Sequence, residues 1–381
     1  MLFYANQVGL IFDESTPINQ MYYGGTELTK NSSAKFQLDC DRVEVSSDDA
    51  LTKLSAIFGL LGCEEEIAKS VSNHLVDSSL SGVESHGVMR ALQYVKQFQS
   101  GFMKPDATPQ IVTCDNGWEA VDGGGGVGIP AMELAYERGM LQARKKGVSV
   151  VAVRNVGHTG RIGAYADVAA EKGFMTICMG GGNRKIWRQV APYGGAKALY
   201  PTNPWAIGMP GGNDDPVVVD FATSKIAGGW LYAARLAGAQ LPEGYIIDSN
   251  GNPTTDPEDY FNGGAILPAG EHKGYGLGLL AEIVADALLG EPTTEGNWLI
   301  IVLDIEAIQS SSAYSRAIAD ILTEVRECPP APGFERVEIP GQLSRNHKRQ
   351  CDGIVAVPEH TWQQICEIYT ELSEGIDRSD D

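Results

Sequence analysis

The chain lacks a long apolar run, is poor in basic residues and has no paired-cysteine motif. Its longest hydrophobic stretch, Leu277 to Leu289, is broken by Glu282 and Asp286 and falls short of the roughly 20 residues a membrane-spanning helix needs. No membrane partner is expected. Lys and Arg number 29 against 49 Asp and Glu, a formal net charge of -20. That field repels nucleic-acid phosphates, and no basic stripe with interleaved aromatics offsets it, so nucleic acid is not an expected partner either. It also opposes dinucleotides and carboxylates, so an anion site must rest on a few local cations and backbone N–H groups, with Arg90, Arg154 and Lys273 as candidates. The seven cysteines are scattered, with no CxxC or zinc-type Cys/His spacing. The first basic residue is Lys30, so no basic leader is visible. A reduced, cytoplasmic protein without a metal site is the expectation.

What is present is a globular composition, 43% hydrophobic with 45 glycines, over 381 residues. With domains of roughly 100 to 200 residues, that length predicts two folded units. Residues 1–42 show no sustained period and are expected to form an extension of uncertain order. Ser46 to Asp49 supplies helix-capping acceptors for a helix to Gly62, and a second helix runs from Glu64 to Leu80. Glu84 to Phe98 reads as one helix, on which His86, Arg90 and Tyr94 recur every four residues and share a face. Helix and strand then alternate: helix Ala131 to Gly147, strand Val148 to Val153, helix Arg161 to Gly173, strand Phe174 to Met179. Lys273 to Leu289 is predicted helical and Trp298 to Asp304 a strand. Gly123 to Gly126 with Gly128 reads as a glycine-rich turn, because no Gly-Lys-Ser/Thr ending makes it a phosphate loop. Gly157, Gly160 and Gly163 lack the dinucleotide-fingerprint spacing, and a Rossmann fold is not expected.

Four constellations carry chemistry. Ser85-His86-Gly87 with Arg90 and Tyr94 joins a histidine that can exchange a proton with a substrate oxygen to an arginine that can grip a carboxylate. Taken alone, it reads more readily as a capping histidine beside a surface arginine. Arg154-Asn155-Val156-Gly157-His158-Thr159-Gly160 lies where a strand turns into a helix, and offers His158 as a second acid/base candidate, or a plain turn histidine. Glu271-His272-Lys273-Gly274 puts a lysine at a helix start, suited to phosphate, carboxylate or ribose, or merely solvated. Thr202-Asn203-Pro204 and Asp220-Phe221-Ala222-Thr223-Ser224 could hold ribose and phosphate oxygens, though the second is also a common helix cap.

In this order, with Gly82-Val83-Glu84 before Ser85, Pro192-Tyr193-Gly194-Gly195 and Pro253-Thr254-Thr255-Asp256-Pro257, the pieces resemble the malate/L-lactate dehydrogenase-like (type 2) oxidoreductases, from about Val43 to about Ile368. That family includes ureidoglycolate dehydrogenase, 2,3-diketo-L-gulonate reductase and cyclic-imine carboxylate reductases. The resemblance implies a mixed α/β, non-Rossmann architecture: a mostly antiparallel sheet domain binding NAD or NADP (residues 113–271), and a helical domain from both chain ends (43–112 and 272–368). A flexible tail (369–381) and a homodimer complete the expectation. It implies that His86 donates the proton, Arg90 holds the carboxylate and His158 sits beside the reacting carbon, the last two histidine roles being interchangeable among members. Ser85, Tyr94 and Thr159 would help bind substrate, and Gly182, Asn203, Asp220, Phe221, Ala222, Lys273 and Gly274 the cofactor. The chain departs from the family where Gly180-Gly181-Gly182 replaces Thr-Asn-Ser, and Arg184-Lys185 beside it could favour a ribose phosphate.

The expected activity is hydride transfer between a nicotinamide and C2 of a small 2-hydroxy or 2-keto acid. The alternatives are a cyclic-imine carboxylate reductase, a non-catalytic nucleotide- or sugar-acid-binding homologue, and a metal-dependent hydrolase using His86, His158 and His272.

Overall fold

The computed structural model describes residues 27–30, 36–113 and 117–377. Strands β1 (Glu27–Lys30) and β2 (Phe36–Asp39) pair as an antiparallel ribbon. The remainder of the expected 1–42 extension, residues 1–26 and 31–35, lies outside the described residues, as do 378–381 of the expected tail.

A helical unit is built from both chain ends. It comprises β3 (Arg42–Ser46), α1 (Ser47–Leu60), α2 (Glu65–Leu80) and α3 (Arg90–Gln99) from the N-terminal side. Ser46 starts α1 by accepting the Asp49 N–H at 3.1 Å, and the helix buries Ala50, Leu54, Ile57 and Phe58 at helical spacing. They pack against Leu75, Tyr94, Phe98 and Met103, and against Val355, Val357 and Ile365 from the other chain end.

The second unit is a seven-stranded sheet. Its elements are β4 (Gln110–Thr113), β5 (Glu119–Asp122), α4 (Gly128–Lys146), β6 (Val148–Val156), α5 (Ile162–Glu171), β7 (Phe174–Gly182), β8 (Trp205–Met209) and β9 (Val217–Phe221). A side lobe follows, with α6 (Gly228–Ala237), β10 (Ile246–Ile247), β11 (Pro253–Thr254), α7 (Pro257–Phe261) and β12 (Ala265–Ile266). Then come α8 (His272–Glu282), which continues as a π-helical turn over Ile283–Leu288, and β13 (Gly296–Asp304). Helices α9 (Ile305–Ile308), α10 (Ser311–Glu327) and α11 (Gln342–Gln350) lead to β14 (Ile354–Pro358), which pairs with β3, and to α12 (Glu359–Asp377).

The strand order is β4-β5-β6-β13-β7-β8-β9, and only β5–β6 is parallel, which is the mixed, mostly antiparallel sheet expected. Helices α4 and α5 cover one face with small residues (Ala131, Ala135, Ala166, Ala169) that let them close onto Val151, Ile300, Val302 and Cys178. The other face is more open. Val150, Ile301, Ile177, Ile207 and Val219 form one apolar row in register across five strands, and both ends of the row are exposed.

Three expectations are corrected. Glu84 to Phe98 is not one helix: Glu84–His86 is a single 3-10 turn, Gly87 is extended, and α3 starts at Arg90. The break arises because the Ser79 hydroxyl captures the Val88 N–H at 3.0 Å. Residues 272–368 do not all join the helical unit, since β13 occupies the middle of the sheet and α10 packs through Ile318 and Leu322 against Val217. The chain returns to the helical unit through polar contacts of His347 and Lys348 with Leu80 and Asp77, and joins its hydrophobic core from Val355 onward. Residues 369–377 are not a loose tail, because α12 continues to Asp377 and packs Tyr369 and Leu372 on the helical core.

Because β13 bridges β6 and β7, its fully buried Ile300 holds both halves of the sheet together. Ile300→Ala is expected to lower the free energy of unfolding by about 3 kcal/mol, read as a shifted urea midpoint with an unchanged slope.

Candidate active site

A cavity of about 1370 Å³ opens between the two units. It exceeds the roughly 300–1,000 Å³ of ordinary ligand sites, and so has room for a dinucleotide and a small acid together. Its wall takes Ser85, His86 and Arg90 from the helical unit, residues 157–163 from the loop after β6, and Glu295 from the turn before β13.

The loop after β6 is shaped by its sequence. Asn155, the penultimate residue of β6, has φ 57°, where the pairing with β13 is irregular, and its side chain donates to Asp122 at 3.1 Å. Gly160 has φ 69°, and any side chain there would run into the His74 ring. His158 is thus presented on a short, tightly seated turn. Its Nδ1 receives the Gly160 backbone N–H at 3.2 Å and meets the Tyr94 hydroxyl at 2.7 Å. A backbone amide can only donate, so Nδ1 is the acceptor and the neutral ring carries its proton on Nε2. The His86 ring stacks on His158 at 5.4 Å, and its Nδ1 meets the Ser85 hydroxyl at 2.9 Å. A hydroxyl can donate or accept, so His86 can adopt either tautomer.

The sequence places His86, Arg90 and Tyr94 on one helical face, but the structure distributes them differently. His86 and Arg90 line the cavity from either side of the break before α3. Tyr94 is fully buried behind His158 and acts as its support, not as cavity wall. The Arg90 guanidinium is braced by Nε donating to the Ser85 carbonyl at 2.5 Å and by a bond to Gln93 Oε1. Burial, then the Arg90 charge, pushes the His86 pKa down from 6.5 to about 3, and the same causes hold His158 well below the ordinary histidine range. Both rings are neutral at pH 7 in the absence of a bound anion.

Behind the histidines lies a network that the sequence reading missed. Arg161 pairs with Asp77 at 2.8 Å and Asp167 at 3.5 Å, and Arg345 also bonds Asp167. The Arg161 N–H donates to His74 Nε2 at 2.8 Å, and His74 stacks on Tyr165, whose hydroxyl donates to the Thr159 carbonyl at 2.7 Å. Glu295 was also missed. One of its oxygens is buried without a partner, and burial raises the carboxyl to about 7 against the opposing pull of Arg90. A lone Glu before a strand carries no sequence signal.

Of the expected cofactor residues, Gly182, Asn203, Asp220, Phe221 and Ala222 line the cavity. Asp220 also caps α5, accepting the Gly163 N–H at 2.8 Å, and Asn203 donates to the buried Glu282 at 2.8 Å. Gly180-Gly181-Gly182 has a steric reason: a Cβ at Gly180 would meet the Trp298 ring at 2.6 Å, and one at Gly182 would meet Pro201 at 2.9 Å. Lys273 and Gly274 do not reach the cavity wall; Lys273 is exposed at the start of α8, and Gly274 packs against the Ala269 and Thr223 carbonyls. Arg184 and Lys185 pair with Asp286 and Glu291 outside the wall, and Arg154 turns toward the Trp118 ring. His272 lies apart from His86 and His158, against Tyr193 at 6.0 Å, and no three His, Cys, Asp or Glu among the described residues gather as metal ligands.

Gly123, Gly125 and Gly128, from the end of β5 to the first residue of α4, carry the Gly-x-Gly-x-x-Gly spacing within what the sequence alone presents as a glycine-rich turn. The protein itself fills that loop: the Gly124 N–H goes to Asp122, Gly125 to the Asn155 carbonyl and Gly128 to the His158 carbonyl. Among the helix starts on the cavity wall is that of α6, where Ala227, Gly228 and Gly229 form the wall and no side chain caps the N-terminus.

Comparison with known proteins agrees with this arrangement. The family model described as malate/L-lactate dehydrogenase matches residues 45–366. The chain is 37% identical to a Δ1-pyrroline-2-carboxylate/Δ1-piperideine-2-carboxylate reductase of Pseudomonas putida over 65% of this chain and 72% of that protein. It is 33% identical to an L-sulfolactate dehydrogenase of Methanocaldococcus jannaschii over 83% and 93%. Among solved structures, malate dehydrogenase of Pyrococcus horikoshii superposes with a TM-score of 0.77 at 28% identity, covering 88% of this chain and 98% of that one.

His74 ties the site to stability. Its pKa falls from 6.5 unfolded to about 3 folded, through burial and then Arg161, so between those values the unfolded chain binds a proton that the folded one does not. Stability therefore drops as pH falls from 6.5 toward 3, with His74 contributing on the order of a few kcal/mol. Urea midpoints across that window check this, and His74→Asn should flatten the fall.

Proposed function

The chain belongs to the malate/L-lactate dehydrogenase family and is an oxidoreductase acting on CH–OH groups, and we propose that it interconverts a small 2-hydroxy acid or its nitrogen analogue with the 2-keto or 2-imino form, using NAD or NADP. The observation that carries this reading is the stacked pair His86–His158 facing one braced arginine in a dinucleotide-sized cavity.

When bound, the nicotinamide supplies or accepts the hydride. The residues present fit such a group. The uncapped N-terminus of α6 suits the pyrophosphate, because its backbone N–H groups and helix dipole favour negative charge. Asp220, Phe221 and Ala222 continue that wall, with Gly182 at the end of β7, which β8 separates from β9.

Arg90 grips the substrate carboxylate, oriented by its bonds to Ser85 and Gln93. His158, with its proton fixed on Nε2, donates a hydrogen bond to the substrate oxygen and polarises it. His86, whose tautomer Ser85 allows to switch, exchanges the proton. Arg90 is among the groups that depress the His86 pKa, so a carboxylate that neutralises Arg90 raises it and readies the imidazole to carry that proton. Thr159 and Ser85 complete the substrate wall.

The open face of the sheet, with its apolar row from Val150 to Val219, supports a homodimer, since a patch of this kind is ordinarily covered. The cytoplasm as location rests on cysteine usage alone.

NADH and NADPH oxidation with pyruvate, oxaloacetate, diketogulonate, oxalurate and cyclic imino acids tests the reading. Turnover of at least one is expected, with kcat/KM lowered about 10²–10⁴-fold by His86→Ala. Arg90→Lys should raise KM about tenfold while kcat changes less. A folded protein that turns over none of these substrates would refute the assignment.

A further inference from the structure

We propose that Glu295 sets substrate choice: with Arg90 as its positive counterpart, it supplies a carboxylate for a cationic nitrogen on the reacting carbon, so the site favours an iminium acid over a dicarboxylate. The proposal rests on the redox reading above and narrows its substrate class.

Glu295 is firmly placed. Its N–H donates to the Val156 carbonyl at 3.1 Å, one residue before the Gly157-His158 loop, which fixes it beside the histidines. Glu295 is part of the cavity wall, one of its oxygens is buried without a hydrogen-bond partner, and the hydrogen bonds of Arg90 go to Ser85 and Gln93. The Arg90 charge is nonetheless close enough to act on Glu295. Arg90 and Glu295 thus line the same space without pairing, and although burial leaves Glu295 only partly ionised near pH 7, a cationic ligand nitrogen beside it favours the carboxylate.

A buried carboxylate with an unsatisfied oxygen carries a desolvation cost that a ligand cation or N–H donor relieves. A ligand with a carboxylate beside a protonated C=N offers a negative group to Arg90 and a positive one to Glu295. A dicarboxylate offers a second negative charge, which Glu295 repels. Lys96, the other cation on this helix, lies about 9 Å further along by helical rise, so it does not replace the missing countercharge beside the reacting carbon. Reduction of the iminium adds a hydride from the reduced nicotinamide to C2 and moves the C=N π pair onto nitrogen, leaving its proton in place. The product is an amine, and the nicotinamide is oxidised. No proton need arrive during the step, which suits a site whose histidines are both neutral.

The test compares kcat/KM for Δ1-piperideine-2-carboxylate, pyruvate and oxaloacetate, with reduced cofactor saturating, in the full chain and in Glu295→Gln. The full chain should prefer the cyclic imine to oxaloacetate by at least about tenfold, and Glu295→Gln should cut that preference about tenfold or more. As a second readout, inhibition by L-pipecolate, which carries an ammonium beside its carboxylate, should weaken about tenfold in Glu295→Gln, whereas inhibition by L-malate should strengthen. A preference of the full chain for oxaloacetate, or equal losses on all three substrates in the variant, would overturn the role of Glu295. Failure of the full chain on all three would instead count against the redox reading itself.

Discussion

The hydrogen bond between Tyr94 and His158 joins the two units at the point where chemistry is expected. Tyr94 is wholly enclosed by the helical core, where its ring lies near Phe58, and only its hydroxyl reaches out to a residue on the sheet unit. A phenol buried this way needs a polar partner, and the Nδ1 of His158 is that partner. The same histidine accepts the Gly128 N–H through its carbonyl, so the start of α4 is seated on it as well. The direction of the imidazole is therefore set by the packing of two cores, and the stacked His86 inherits that setting.

Electrostatically, a strongly acidic protein places a braced arginine, Arg90, on the wall of its cavity. Two of the cations on the cavity wall are already matched: Arg161 to Asp77 and Asp167, and Arg235 to Glu258. Arg90 is braced by neutral oxygens, so its charge remains available to a ligand. The long-range field of -20 slows the approach of anions, and discrimination has to come from contacts made once inside.

Much of this was legible in the sequence. The order of short motifs pointed to the family, and hydrophobic periodicity located most helices and strands to within a few residues. What stayed hidden has physical causes. The break between His86 and α3 depends on the Ser79 hydroxyl, a contact made across nine positions that no local period encodes. The placement of β13 is long-range pairing, invisible to any window that reads Trp298 to Asp304 only as a strand. Gly123, Gly125 and Gly128 show the reverse case, a fingerprint whose donors are consumed by the chain's own carbonyls and by Asp122. Lys273 stands at a helix start, where an anion ligand is expected, yet it is exposed and is not part of the cavity wall.

The position of β13 also bears on how the protein is made. Strands β6 and β7 are synthesised early, but they do not touch each other; each pairs with β13, which leaves the ribosome more than a hundred residues later. Until then the nascent chain has two unfinished half-sheets with exposed edges, and the helical unit waits longer still for β14. The cavity, bounded by both units, closes only once β13 and β14 have been made. Truncated chains would consequently hold neither cofactor nor substrate, and cells making this enzyme must shield its sheet edges for most of its synthesis.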